Sequence, residues 1–277
     1  MNVKLIALDM DGTILNSSGF MSDSTINAIN KAYDNNIIVS LATGRTFSEI
    51  GVITENLKNS INYAICSNGA LVYDLNNSKP IYKNLLSTES VKKIYDILKP
   101  FDVLMDAYID GKAYSKNYSK EKLKFFGIPE KYIDLLFRNR QPVNDLKTFI
   151  LETNKSIEKF NIRLSNPEET RKVWNLLSSL PEIAVTTSGF DGIEVNNKSA
   201  NKADGLKNLI QYLKIDQANT MAIGDSINDK EMLSFVNVSV AMGNAHPDIK
   251  NICKFITSSN DDDGVAKAIE KYAFKIG

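Results

Sequence analysis

Val3-Lys4-Leu5-Ile6-Ala7-Leu8-Asp9-Met10-Asp11-Gly12-Thr13 is the stretch on which the reading of this chain turns. From Val3 to Leu8 it is mostly apolar, the pattern of a buried parallel strand, and it breaks off at Asp9. Asp9 then stands at the C-terminal tip of a core strand. Working outward, Thr25, Ile26, Ile29, Ala32 and Tyr33 recur at helical spacing, Asn35-Asn36 ends the segment, and Ile37 to Ala42 reads as a second strand. Together these make a βαβ unit. Tyr63 to Cys66 is a further apolar run, closed by the turn-forming group Ser67-Asn68-Gly69-Ala70.

The far end of the chain has the same texture. Leu206, Leu209, Ile210 and Leu213 share one helical face, Thr220 to Ile223 is a strand entering Gly224-Asp225-Ser226, and Val238 to Ala241 and Lys254 to Ile256 read as strands. Between the two ends the pattern changes. Val91, Ile94, Tyr95 and Leu98 mark a helix, Asp110-Gly111 turns a hairpin between Val103 to Ile109 and Lys112 to Ser115, and a second helix covers Pro167 to Ser179. The expected fold is therefore α/β: a doubly wound, Rossmann-like parallel sheet built from residues 1–82 and 190–277, with an inserted α/β domain at 83–189. Hinges are expected near Pro80 to Lys83 and Ser188 to Asp191.

Composition narrows the function. The 277 residues carry 33 Lys plus Arg against 33 Asp plus Glu, so no overall basic field draws the chain to nucleic acid or to a membrane. The apolar stretch at the N-terminus is short and interrupted by Asp9, which fits neither a signal peptide nor a spanning helix. Two cysteines, Cys66 and Cys253, lack the spacing of a zinc site or a disulfide framework and suit a reducing cytoplasm. With His246 the only histidine, chemistry falls to carboxylates, lysines and hydroxyls. The partner expected is a small molecule, and the sequence leaves oligomeric state open.

Four polar groups lie at the expected C-terminal ends of core strands: Asp9 to Thr13, Thr43-Gly44-Arg45, Lys202, and Gly224-Asp225-Ser226-Ile227-Asn228-Asp229. In an open parallel sheet those ends converge on one crevice. Carboxylates crowded there repel one another, which calls for a hard cation with oxygen ligands, and Mg2+ is the usual companion of phosphate substrates.

The order DxDGT, TGR, Lys, GDSxND resembles the haloacid dehalogenase superfamily of phosphatases, and more narrowly its Cof-type members with a large α/β cap. Ser67-Asn68-Gly69-Ala70, Ala241 to Ala245 and Asn260 to Ala266 extend the likeness along the whole chain. The resemblance implies Mg2+-dependent hydrolysis of phosphate monoesters of small metabolites, sugar phosphates foremost, with the cap choosing the substrate. Asp9 would be the nucleophile that becomes an aspartyl-phosphate, and Asp11 the proton carrier. Lys202 would offset charge; Thr43, Gly44, Met10, Asn228 and Lys202 would bind phosphate oxygens, the first two at a helix start. Asp9, the Asp11 carbonyl and Asp225 would hold the metal, with Ser226 or Asp229 acting directly or through water.

Some alternatives stand beside this reading. The family has Gly after its motif lysine where this chain has Ala203, and Lys198 is a second candidate. Thr43 reads equally as a helix cap and Arg45 as half of an ion pair. A phosphomutase or phosphotransferase would share the aspartyl-phosphate, and a receiver-type switch would store it. Asp11 and the inserted domain argue against the switch, which has no use for a leaving-group acid or a lid.

Overall fold

The computed structural model describes residues 2–51, 57, 60–152, 155–188 and 192–274. The first elements are β1 (Leu5–Leu8), α1 (Asp23–Asp34), β2 (Ile38–Ala42), α2 (Phe47–Ile50), β3 (Tyr63–Cys66), β4 (Leu71–Asp74) and β5 (Lys79–Lys83). Next come α3 (Thr88–Leu98), β6 (Leu104–Ile109), β7 (Lys112–Lys116), α4 (Lys120–Phe125), α5 (Glu130–Asn139), β8 (Arg140–Val143), α6 (Leu146–Glu152), β9 (Lys159–Arg163), α7 (Pro167–Ser178), β10 (Ile183–Ser188) and β11 (Gly192–Asn197). The chain closes with α8 (Lys202–Leu213), β12 (Thr220–Gly224), α9 (Lys230–Phe235), β13 (Val238–Ala241), α10 (Pro247–Ile252), β14 (Phe255–Ile256) and α11 (Gly264–Tyr272).

These elements form two compact units. One contains Met1–Arg45, Ile50–Tyr82 and Asn201–Gly277; the other contains Thr46–Glu49 and Lys83–Ala200. The second unit runs to Ala200 because β11 pairs with β9 and β10, whereas the sequence reading drew the line at 189. Residues 189–191, most of the expected second hinge, lie outside the described residues.

In the first unit the sheet order is β14-β13-β12-β1-β2-β3-β4-β5. Pairing is parallel from β14 through β3, and β4 turns antiparallel on β3. Leu5, Ile6, Ala7 and Leu8 have no exposed surface, as expected of a strand with layers packed on both faces. From β1 the chain steps one way through α1 to β2, while from β12 it steps the opposite way through α9 to β13. Right-handed crossovers put those two helices on opposite faces, so the sheet is doubly wound. The order reverses between β1 and β12, which opens a crevice at their C-terminal ends.

The second unit is a six-stranded sheet ordered β10-β11-β9-β6-β7-β8, antiparallel except where β8 joins β7. Met105, Ala107, Phe160, Ile162, Ile193 and Val195 alternate onto one face and form a core with Val91, Ile94 and Val173 from α3 and α7. Register places Asp106, Tyr108, Lys159, Asn161, Glu194 and Asn196 on the other face.

Two local expectations are corrected. Thr43 does not begin a helix: α2 starts at Phe47, and Thr43 to Arg45 form a loop in which Thr43 Oγ1 accepts from the Arg45 amide at 3.1 Å. Lys202, read both as a strand-end residue and as directly preceding a helical pattern, is not at a strand end but is the first residue of α8, because Asn201 caps that helix by accepting from the Asp204 amide at 2.9 Å.

Candidate active site

Strand pairing fixes the site before any side chain does. Leu8 lies beside Ile223, and the Asp9 amide still donates to the Ile223 carbonyl at 3.1 Å, so Asp9 and Asp225 leave neighbouring strands close together. Two glycines allow the approach. Gly12 sits at φ +83°, and a Cβ there would lie 2.5 Å from Asp225 Oδ2; one on Gly224 would lie 2.6 Å from Asp229 Cγ. Thr13 donates from its hydroxyl to Asp225 Oδ1 at 3.1 Å, a contact that no local sequence pattern signals.

Lys202 reaches into this cluster from the first turn of α8. Its ammonium donates to Asp9 Oδ1 at 2.6 Å, to Asp229 Oδ1 at 2.7 Å and, more distantly, to Asn228 Oδ1 at 3.4 Å. Lys202 is 1% exposed, Asp9 4% and Asp229 0%, so these charges are removed from water. Lys198 is exposed and belongs to the second unit. The second oxygen of Asp229 accepts from the amides of Asp225 and Ser226, both at 3.0 Å, and from the Ser226 hydroxyl at 3.3 Å. The Ser226 hydroxyl also donates to Asn228 Oδ1 at 2.5 Å. Asp229 therefore organises the loop with both of its oxygens engaged.

One ammonium thus faces three carboxylates. Burial, with Asp229 next and Asp225 adding, pushes the Asp9 carboxyl well above its ordinary value, while Lys202 pulls it back. Burial and Asp229 likewise raise Asp225. For Lys202, burial works to lower the pKa, but Asp229 and Asp9 outweigh it and hold the ammonium firmly charged. Among the described residues no group donates a hydrogen bond to the buried Asp9 Oδ2. One oxygen each from Asp9, Asp225 and Asp229 fall within 4.8 Å of one another. An orphaned carboxylate oxygen amid hard oxygen donors and excess negative charge fits a divalent cation.

The remaining sequence candidates sit around this cluster. Met10 is fully buried and Thr43 is 1% exposed, at the ends of β1 and β2, with Gly44 beside Thr43. Asp11 turns its side chain elsewhere: Arg45 grips it with two bonds, Nε to Oδ2 at 3.0 Å and Nη2 to Oδ1 at 2.6 Å. The ion pair expected of Arg45 therefore engages Asp11 itself.

A family model for haloacid dehalogenase-like hydrolases matches residues 6–269. The chain belongs to that family. It is 32% identical to the 5-amino-6-(5-phospho-D-ribitylamino)uracil phosphatase YcsE of Bacillus subtilis, over 98% of this chain and 96% of that protein. A solved haloacid dehalogenase-like hydrolase from B. subtilis superposes with a TM-score of 0.84 at 25% identity, covering 98% of this chain and 100% of the other. The subclass IIB sugar phosphatase BT4131 gives 0.79 at 25% identity, with 98% and 99% covered. This haloacid dehalogenase-like chain is accordingly an enzyme, one of the family's phosphatases, and it carries an acidic cluster able to hold a divalent cation. No helix among the described residues is long and apolar enough to cross a membrane.

Proposed function

We propose that this enzyme hydrolyses phosphate monoesters of small metabolites through an aspartyl-phosphate on Asp9, with Mg2+ as cofactor. The observation that carries the reading is the buried Asp9 carboxylate, held by Lys202 through one oxygen and, among the described residues, without a donor on the other. In the first step an Asp9 oxygen bonds to phosphorus, the ester P–O bond breaks, and the leaving alcohol takes a proton from Asp11. In the second step Asp11 accepts a proton from water as the water oxygen attacks phosphorus, which releases inorganic phosphate and restores Asp9.

A carboxylate nearing a phosphate dianion meets repulsion of about 8 kcal/mol at ~4 Å and an effective dielectric of ~20. Lys202 offsets part of it. When bound by Asp9, the Asp11 carbonyl and Asp225, with Ser226 or Asp229 directly or through water, Mg2+ would supply the rest of the positive charge. Phosphate oxygens are received by the Thr43 hydroxyl, the Gly44 and Met10 amides, Asn228 and Lys202. Both Asp11 oxygens are engaged by Arg45 in this structure, so Asp11 must leave that pair to exchange a proton with the leaving group or water.

The substrates we favour carry a phosphorylated sugar or polyol chain. Two relatives support that class: one is a sugar phosphatase, and the other acts on a phosphoribityl compound. The second unit, read from sequence as residues 83–189, is the substrate-selecting cap. A cytoplasmic setting belongs to the same reading, with Cys66 and Cys253 outside any disulfide. The test is phosphate release from a panel of sugar and polyol phosphates, with and without Mg2+, beside Asp9→Asn. Chelation should abolish turnover, and Asp9→Asn should lower it on the order of 10⁴-fold or more. Turnover indifferent to both would overturn the mechanism.

A further inference from the structure

Ser67, Asn68 and Gly69 form a turn with no role in the mechanism above. All three lie at positive φ, 51°, 56° and 95°, and all are buried. A two-residue turn is enough to reverse a strand pair such as β3 and β4, yet this chain spends more residues and sets two of them that are not glycine in the left-handed region. What surrounds the turn accounts for it.

On one side lies the loop that follows β2. The Asn68 amide donates to the Thr43 carbonyl at 3.1 Å and the Ser67 amide to the Arg45 carbonyl at 2.9 Å, so two of that loop's carbonyls are tied down. Gly44 lies between them, and a Cβ there would lie 2.9 Å from Asn68 Oδ1, so the Asn68 side chain would have to shift to admit one. On the other side lies the start of α8. A Cβ on Gly69 would fall 1.9 Å from the Asn201 carbonyl oxygen and 3.1 Å from the Lys202 amide nitrogen. Backbone therefore meets backbone directly at that point, and the turn spans from the Thr43-Gly44 loop to the residue whose ammonium holds Asp9.

We infer that the left-handed Ser67-Asn68-Gly69 turn is a spacer that sets the phosphate-receiving loop against Lys202, with Asn68 as a positioning residue that shapes Gly44 for the phosphate oxygens. The inference rests on the phosphatase reading given above. Asn68 does not touch the reacting atoms. It acts through Gly44 and Thr43, fixing where their donors point, and errors of about 1 Å in such placement can cost on the order of 10²-fold in rate.

The test uses the full-length enzyme and inorganic phosphate as the probe. Asn68→Gly keeps a backbone at ease with positive φ and deletes only the side chain. It should melt within a few degrees of wild type, while kcat/KM falls about tenfold or more and the inhibition constant for inorganic phosphate rises by a similar factor. Gly44→Ala should cost more in the wild-type background than in the Asn68→Gly background, because the side chain it displaces is gone in the latter. Equal cost of Gly44→Ala in both backgrounds would overturn the inference. So would a coupling between the two sites with phosphate inhibition unchanged, which would leave a packing contact only. Failure of the aspartyl-phosphate mechanism would appear separately, as retained turnover in Asp9→Asn, whereas the phosphate inhibition constant reads the loop whatever the nucleophile.

Discussion

Each unit buries a lysine, and the two are treated differently. Lys159, 2% exposed in the six-stranded sheet, meets Glu194 at 2.5 Å and stands over the ring of Tyr108 at 4.7 Å. Nearby, Arg140 pairs with Asp106 at 2.5 Å, so each of these two cations has a carboxylate of its own. Lys202, 1% exposed, meets Asp9 and Asp229 while Asp225 stands close, and the negative charge is left in excess. A matched buried pair balances its own charge, whereas the unmatched cluster is stabilised further by an added cation or a proton. The contrast separates an ion pair that holds a fold from one poised for chemistry.

Replacing both lysines sharpens the contrast most. Lys202→Met and Lys159→Met should each destabilise the metal-free protein by about 3–5 kcal/mol, since each strands a buried carboxylate, which denaturant titration would read. Turnover of a small aryl phosphate should then part them. Lys202→Met should lose on the order of 10²–10³-fold or more, and Lys159→Met should stay within about threefold. Equal losses of turnover would break the comparison.

The next largest effect concerns the excess charge itself. Mg2+ at about a hundred times its dissociation constant should stabilise the wild type by about 2.7 kcal/mol, measured by thermal melting. Asp225→Asn should forfeit most of that increment, and Lys159→Met should keep it. A full increment in Asp225→Asn would remove Asp225 from the metal site.

Acidity offers a subtler check. A carboxyl whose folded pKa is raised, as for Asp9 and Asp225, favours folding while protonated. That contribution is lost as pH climbs from the ordinary value of 3.8 through the raised one. Without metal, Asp225→Asn should therefore be more stable than wild type at neutral pH, and the advantage should shrink on acidification. An advantage that grows toward acid would contradict the assigned direction. Arg45→Gln should do least to the fold, under about 1 kcal/mol, because its pair with Asp11 is partly solvated, with side chains 33% and 60% exposed.

Much of the catalytic half was legible because one physical signal, an apolar run stopped by an acid, marks a strand tip without tertiary information. Leu8 before Asp9 and Ile223 before Gly224-Asp225 are such places, and the parallel sheet does the rest. The start of α8 was harder. Asn201 caps the helix, but nothing local says that a long side chain on its first turn reaches back to Asp9. Thr43 reads as a cap because Thr commonly is one, while its hydroxyl in fact serves the Arg45 amide within a loop. The strand β4 escaped notice because Leu71–Asp74 is four residues following directly on a turn. The polar face of the second sheet depends on register between strands far apart in sequence, such as Asp106 beside Asn161 and Glu194, which no local pattern encodes.

The central claim is that Asp9 carries the phosphoryl group, and acid-quenching the enzyme during steady turnover with Mg2+ tests it directly. Peptide mass analysis should find phosphate on the segment containing Asp9, absent from Asp9→Asn and chased away when substrate is exhausted. An enzyme that turns over at full rate with no phosphate on that segment, or with phosphate on another residue, would contradict the account.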